Sequence, residues 1–255
     1  MEVRLITKSV GLEEFSERSI DEIIVGQARV SSGRTKETLF DEPEKLLRHC
    51  ILNQHWSIME CANLGFEITT SRAIGRELLR HCKATGIQEF SQRYSDNIEY
   101  EEIELRYQAK KNRQSSTEPI DENLSVKIED SDDSIYVYDE LQNIIEDVSH
   151  FYKACIELGI SKETIRMILP GNTTTKLYMN FRVRELITFL NARLHKTAQK
   201  EIREIAEKMR DIFIEECPII CSSLFNFEDA YDIHILEQIV LEKYKLLDTV
   251  LEKIK

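Results

Sequence analysis

The apolar period of the chain changes between residues 63 and 81, and no other feature constrains the fold as much. In "NLGFEIT", Leu64, Phe66 and Ile68 alternate with polar or small residues, the pattern of a strand with one face buried. In "SRAIGRELLRH", which follows at once, Ile74, Leu78 and Leu79 fall at helical spacing, and Ser71 is placed to cap the first turn. A chain that passes directly from the strand period to the helix period builds both kinds of element around shared apolar faces.

The same test applied elsewhere yields more helix than strand. "FDEPEKLLRHCILNQHW" reads as a helix, with Pro43 near its start and Leu46, Leu47, Cys50 and Ile51 on one side. "IEYEEIELRY" alternates and reads as a strand, and the β-branched "GNTTTKLYMNF" reads as extended. Helices are expected from Val137 to about Leu158, in "SKETIRMILP" with Ser161 as cap, in "VRELITFLNARL" and in "TAQKEIREIAEKMRDIFIEEC". Gly86 interrupts "RHCKATGIQEFSQRYS", which places residues 80–95 on a loop. Residues 108–134 are polar and charge-segregated, as expected of a mobile insertion or surface loop. In the last stretch Leu236, Val240, Tyr244, Leu247, Leu251 and Ile254 form a coiled-coil-like seam. The whole reads as α+β, one domain over residues 1–225 followed by a helix over 226–255.

A net charge of −12 argues against gripping a nucleic-acid backbone, which needs surplus Lys and Arg. It leaves room for one nucleotide in a local basic pocket. No apolar run approaches the roughly 20 residues that span a bilayer, and the start "MEVRLITKSVGLEEF" has no apolar signal core, so a cytoplasmic protein is expected. The six cysteines include no Cys-x-x-Cys pair, and reduced thiols are expected. His49, Cys50 and His55 fit no zinc spacing, and no metal site is expected.

Three separated segments resemble one family, the flavin-dependent thymidylate synthases. "SRAIGRELLRH" running into "QEFSQRYS" is similar to that family's signature of an Arg-His-Arg triplet followed by Ser-x-Arg-Tyr. "HWSIMECANLGFEI" is similar to its His-x-Ser-x-x-Glu segment entering a strand. "RMILPGNTTTKLYMNFRVRELITFLNARLHKTAQKEIR" is similar to its C-terminal signature of Arg-x-x-Leu-Pro, strand, helix ending in Arg, and Ala-Gln-x-Glu-Ile.

The resemblance implies an antiparallel sheet flanked by helices, assembled as a homotetramer with active sites between subunits. It implies reductive methylation of dUMP to dTMP, with methylenetetrahydrofolate as carbon donor, FAD as cofactor and NADPH as reductant. Arg193 matches the arginine held to stabilise ionised N3 of the pyrimidine, the catalytic assignment, and a guanidinium suits a developing anion. The dUMP contacts carried over are Glu77, Arg80, Glu89, Ser91, Gln92, Arg93, Arg166 and Arg193, with Arg93 and Arg166 toward the phosphate. Nothing beside Ser91 in the sequence supplies a general base, so Ser91 is read as a ligand contact. Tyr94 reads as packing. The FAD contacts are Ser31, Ser57, Glu60, the run Arg80, His81, Cys82 and Lys83, then Arg182, Arg184 and Thr188, and His55 matches a family histidine.

The chain departs from the family pattern on the flavin side. With Arg80 and His81 held in register, the third triplet position is Cys82, and eight residues separate it from Ser91 where the family has seven. With the loop length held instead, the triplet becomes His81, Cys82 and Lys83; the first register is preferred because "ELLRH" aligns upstream. Cys82 reads as a small neutral replacement for a lost Arg, with a reactive thiol as the alternative. Arg182 and Thr188 stand where the family commonly has Asn, and Thr197 where it has His. Two other readings follow: a relative that modifies a pyrimidine nucleotide differently, for instance by hydroxymethylation, and a catalytically weak nucleotide-binding or structural subunit.

Overall fold

A computed structural model describes residues 1–81, 83–95, 98–127 and 134–224. The fold is α+β, an antiparallel sheet flanked by helices. A four-stranded sheet has the order β1 (Glu2–Lys8), β2 (Asn63–Ser71), β8 (Thr174–Arg182), β3 (Gly86–Glu89). The alternation in β8 is carried through: Thr175, Leu177, Met179 and Phe181 are buried while Lys176, Tyr178 and Asn180 are exposed. Among the described residues, no helix is long and apolar enough to cross a membrane. Cys50, Cys61, Cys155, Cys217 and Cys221 are free thiols.

The chain divides into two compact units. One comprises residues 1–2, 69–80 and 88–177. Its helices are α3 (Arg72–His81, to residue 80), α4 (Val137–Glu157) and α5 (Lys162–Ile165). α4 ends in a Schellman turn: Gly159 takes a left-handed φ of 81°, its N–H donates to Ile156, and Ile160 N–H donates to Cys155. Glycine meets that conformation without steric cost. The backbone donors at the start of α3 are also satisfied, Arg72 N–H by Thr173 O at 2.8 Å and Ala73 N–H by Gly171 O at 2.9 Å.

The other unit comprises residues 3–68, 81–87 and 178 onward. It holds α1 (Ile20–Ala28), α2 (Pro43–Leu52), α6 (Val183–Arg193), α7 (Lys200–Glu216) and α8 (Pro218–Leu224). α1 opens on a capping box, Glu22 N–H to Ser19 Oγ at 3.2 Å and Ser19 N–H to Glu22 Oε2 at 3.0 Å. Ile202, Ile205, Ala206, Met209 and Phe213 form the buried stripe of α7 at the spacing of three and four that a helix requires. Phe181 meets Phe66 edge to face and Phe189 at a tilt in the core, with centroids 6.1 and 5.6 Å apart.

Three expectations need correction. Residues 80–95 are not wholly loop, because Gly86–Glu89 forms edge strand β3. Thr85 N–H donates to Asn180 O at 2.8 Å, so the chain pairs with β8 just before Gly86 and the glycine does not break the strand. The strand expected in "IEYEEIELRY" shrinks to a bridge at Tyr100–Thr173 and to β4 (Arg106–Gln108). The adjacent Glu101 and Glu102 explain this: they move the apolar residues from Ile98 and Tyr100 on one face to Ile103 and Leu105 on the other. The stretch expected as a loop over 108–134 carries strands of two short antiparallel pairs, β4 with β5 (Ser116–Pro119) and β6 (Ser125–Lys127) with β7 (Ser134–Tyr136). A side chain sets the turn between β4 and β5, Asn112 Oδ1 accepting from Gln114 N–H, and another shapes the link from β5 to β6, Asp121 Oδ1 accepting from Asn123 N–H. Residues 128–133 and the helix expected over 226–255 lie outside the described residues.

Candidate active site

Within the first unit, β3 delivers Glu89 and the chain turns at once through Ser91, Gln92 and Arg93. The turn is local chemistry: Ser91 O accepts from Tyr94 N–H at 3.1 Å, and Ser91 Oγ accepts from Arg93 N–H at 3.3 Å. Among the described residues no base is hydrogen-bonded to Ser91 Oγ. Gln92 is 3% exposed, and among the described residues its Nε2 has no hydrogen-bond partner. A buried amide donor left unpaired costs roughly 1–3 kcal/mol, so a nearby acceptor would be favoured. Tyr94 is 87% exposed, which removes it from the packing role expected of it.

Arg93 and Arg166 come together on one residue. Arg93 Nη2 lies 3.4 Å from Glu163 Oε2, and Arg166 Nε donates to Glu163 O at 3.3 Å. The Arg93–Glu163 pair is solvent-exposed and contributes little to stability, so the guanidinium can be taken over by a stronger anion. Glu77 and Arg80 lie along α3, Glu77 half-buried and Arg80 exposed.

Glu89 is held by groups that sequence reasoning did not single out. Thr175 Oγ1 donates to Glu89 Oε1 at 2.9 Å, and Arg72 Nη1 lies 3.5 Å from the same oxygen. The signal for Thr175 was present in the alternation of β8. Arg72, one position after a helix cap, carried none.

Within the second unit, the expected flavin residues form a mixed-charge cluster. Glu60 Oε2 accepts from Arg182 Nη1 at 3.3 Å, and its other oxygen pairs with Arg184 Nη1. Arg182 Nε also donates to Glu185 Oε1 at 3.0 Å, and that hydrogen bond holds the Arg182 guanidinium above its ordinary pKa. Ser31 and Ser57 are exposed, and Ser31 Oγ donates to Ala28 O at 3.3 Å. Thr188 Oγ1 donates to Arg184 O at 2.9 Å, within its own helix. Lys83 is exposed, and Cys82 lies outside the described residues. Arg193 ends α6 and belongs to this unit. His55 is exposed, its ring 5.9 Å from that of His49.

Gln92 offers a buried amide donor, and Arg93 and Arg166 offer two guanidinium groups that share Glu163. Arg182 and Arg184 are partly exposed guanidinium groups paired with Glu60, and Arg182 also with Glu185. Exposed guanidinium groups beside a buried amide donor are chemistry that suits an anionic ligand. The family match is more specific: the model of the Thymidylate synthase complementing protein family matches residues 15–219, and the chain belongs to that family. A flavin-dependent thymidylate synthase of Synechocystis sp. is 38% identical over 227 residues, covering 88% of this chain and 99% of that protein. A probable flavin-dependent thymidylate synthase of Paramecium bursaria Chlorella virus 1 is 34% identical over 205 residues, covering 80% of this chain and 90% of that one. Among solved structures, the UMP/dUMP methylase PolB of Streptomyces cacaoi, bound with 5-Br dUMP, matches with a TM-score of 0.70 at 22% identity, covering 91% of this chain and 97% of that one. That likeness bears on the fold.

Proposed function

We propose that this enzyme reductively methylates dUMP to dTMP, with a methylene group from methylenetetrahydrofolate, FAD as cofactor and NADPH as reductant. The reading is carried by the turn after β3, where Glu89, Ser91, Gln92 and Arg93 follow one another within a chain that matches the family over residues 15–219. In this reading Arg93 and Arg166 bind the nucleotide phosphate, with Ser91 and Gln92 beside it and Glu77, Arg80 and Glu89 completing the nucleotide contacts. Arg193 bears on the pyrimidine ring, where a guanidinium stabilises negative charge as C5 becomes nucleophilic. Ser31, Ser57, Glu60, Arg80, His81, Cys82, Lys83, Arg182, Arg184 and Thr188 hold the flavin. The flavin, when bound and reduced, supplies the hydride. The assembly is a homotetramer in which different subunits complete each site, and sedimentation of the active protein checks this.

The purified protein is expected to show a flavin absorption band that bleaches with NADPH, and to convert dUMP to dTMP when methylenetetrahydrofolate is added. Protein that forms no dTMP when supplied with FAD, reductant and folate would overturn the proposal. Formation of a hydroxymethylated nucleotide would redirect it.

The altered triplet gives a second expectation. Cys82 supplies no fixed positive charge where the family has Arg, and Lys83 lacks the planar fork. FAD is therefore expected to bind more weakly than a complete triplet would allow. Restoring one charge-assisted contact, at about 1.5–3 kcal/mol, corresponds to a gain of roughly tenfold to hundredfold. Titration of apoprotein with FAD should show that gain in Cys82→Arg, alone or with Lys83 deleted. Stoichiometric FAD in the wild type, with no gain in either variant, would show that the loop accommodates the change.

A further inference from the structure

We infer that Arg72, acting with Thr175, is a positioning residue for the Glu89 carboxylate and thereby for the pyrimidine nucleotide; the inference rests on the reading of Glu89 as a nucleotide contact. Both partners engage the same oxygen. Thr175 Oγ1 donates to Glu89 Oε1 at 2.9 Å, and Arg72 Nη1 stands 3.5 Å from it. Among the described residues neither contact involves Oε2. A carboxylate held on one oxygen by two groups has its rotation restricted, and its second oxygen is presented in a fixed direction.

The clamp is built into the fold. Arg72 opens α3, and its own backbone N–H is tied to Thr173 O, two residues before Thr175 on the same chain segment. Ala73 N–H is tied to Gly171 O. Thr175 is 1% exposed, which fixes its hydroxyl. One turn along α3, Gly75 leaves the space in which these groups meet. A Cβ there would lie 3.1 Å from Thr175 Cγ2 and 4.0 Å from Glu89 Oε1. On the far side, Phe90 N–H donates to Lys176 O at 2.8 Å, so the residue after Glu89 is anchored to the residue after Thr175. The side chains of Arg72 and Glu89 are 21% and 26% exposed, so their attraction is screened less than that of a fully exposed pair. The structure assigns Arg72 no other ion pair among the described residues. Its placement is not explained by a network of its own.

The test uses FAD-loaded protein and dUMP as the probe, with binding followed by calorimetry and turnover at saturating dUMP. Arg72→Gln and Thr175→Val are each expected to weaken dUMP binding by about tenfold, the scale of one hydrogen bond to a charged group. KM for dUMP should rise by a similar factor, while kcat changes much less. Thr175→Ser, which keeps the hydroxyl, should restore the wild-type values, and the apoprotein's affinity for FAD should be unchanged throughout. A general loss of structure would instead lower FAD affinity and melting temperature together, and Thr175→Ser would not separate from Thr175→Val; that result overturns the inference. Glu89→Gln supplies the control. If it weakens dUMP binding while Arg72→Gln and Thr175→Val do not, the clamp is wrong and the role of Glu89 stands. If Glu89→Gln itself binds dUMP normally, the nucleotide role of Glu89 falls and the clamp falls with it.

Discussion

Arg193→Ala is expected to yield a folded protein whose turnover is lower by roughly two to three orders of magnitude, the usual loss when one stabiliser of transition-state charge is removed. Arg193 sits in the last turn of α6, which by itself would account for a cation answering the helix dipole. The two roles separate in Arg193→Lys. A dipole role accepts any cation, so Lys would restore both stability and activity. A role on the pyrimidine ring needs the planar, delocalised guanidinium, so Lys would restore stability and leave most of the catalytic defect. The measurement is dTMP formation under saturating dUMP, FAD and folate, beside the melting temperature of each variant. Near-wild-type turnover in Arg193→Ala would remove Arg193 from the chemistry.

The legible part of this fold is the part where side-chain period and backbone state agree. β2, α3, α4, β8, α6 and α7 all stand where the apolar spacing places them, because each buries one face against a core. The failures have a common cause. Gly86 looked like a break because a propensity argument cannot see Asn180 on the neighbouring strand. "IEYEEIELRY" looked like a strand because a count of alternating residues overlooks the change of face at Glu101 and Glu102. The β4–β5 turn and the link from β5 to β6 depend on side chains such as Asn112 and Asp121, which a composition average dilutes.

The candidate site divides similarly. Glu89, Ser91 and Arg93 were visible as a compact pattern in the chain. Arg72 was not, since its partner Glu89 is distant in sequence and reaches it only once β3, β8 and α3 have assembled. The junction of Glu60 with Arg182 and Arg184 likewise requires the segment after α2 to meet the end of β8. Long-range charge pairs leave no periodic trace.

Asp21→Ala is expected to destabilise the protein by about 2–4 kcal/mol, because it orphans donors that nothing else in α8 can satisfy. α8 opens on Pro218, which has no N–H to place. The next two N–H groups, of Ile219 and Ile220, both donate to the Asp21 carboxylate, at 2.8 and 3.1 Å. Cys221 N–H then returns to Cys217 O. A residue of α1 thus caps α8. Burial raises the Asp21 carboxyl to about 6, outweighing the two N–H donors that lower it, and the charge of Glu22 adds to the rise. Burial, with the Asp21 charge second, also raises the Cys217 and Cys221 thiols, leaving them unreactive. The sign for stability follows from linkage. Between the ordinary value of 3.8 and about 6 the folded state binds more protons than the unfolded state. The contribution of Asp21 is therefore greatest below the ordinary value and is lost as pH rises through about 6. Asp21→Asn removes that titration and little else in shape. Urea unfolding at fixed protein concentration should show the wild type gaining on Asp21→Asn by roughly 2–3 kcal/mol from pH 7 to pH 4. A difference independent of pH would mean that the carboxylate stays ionised across this window, and that the cap is a charge held by its N–H donors against the cost of burial.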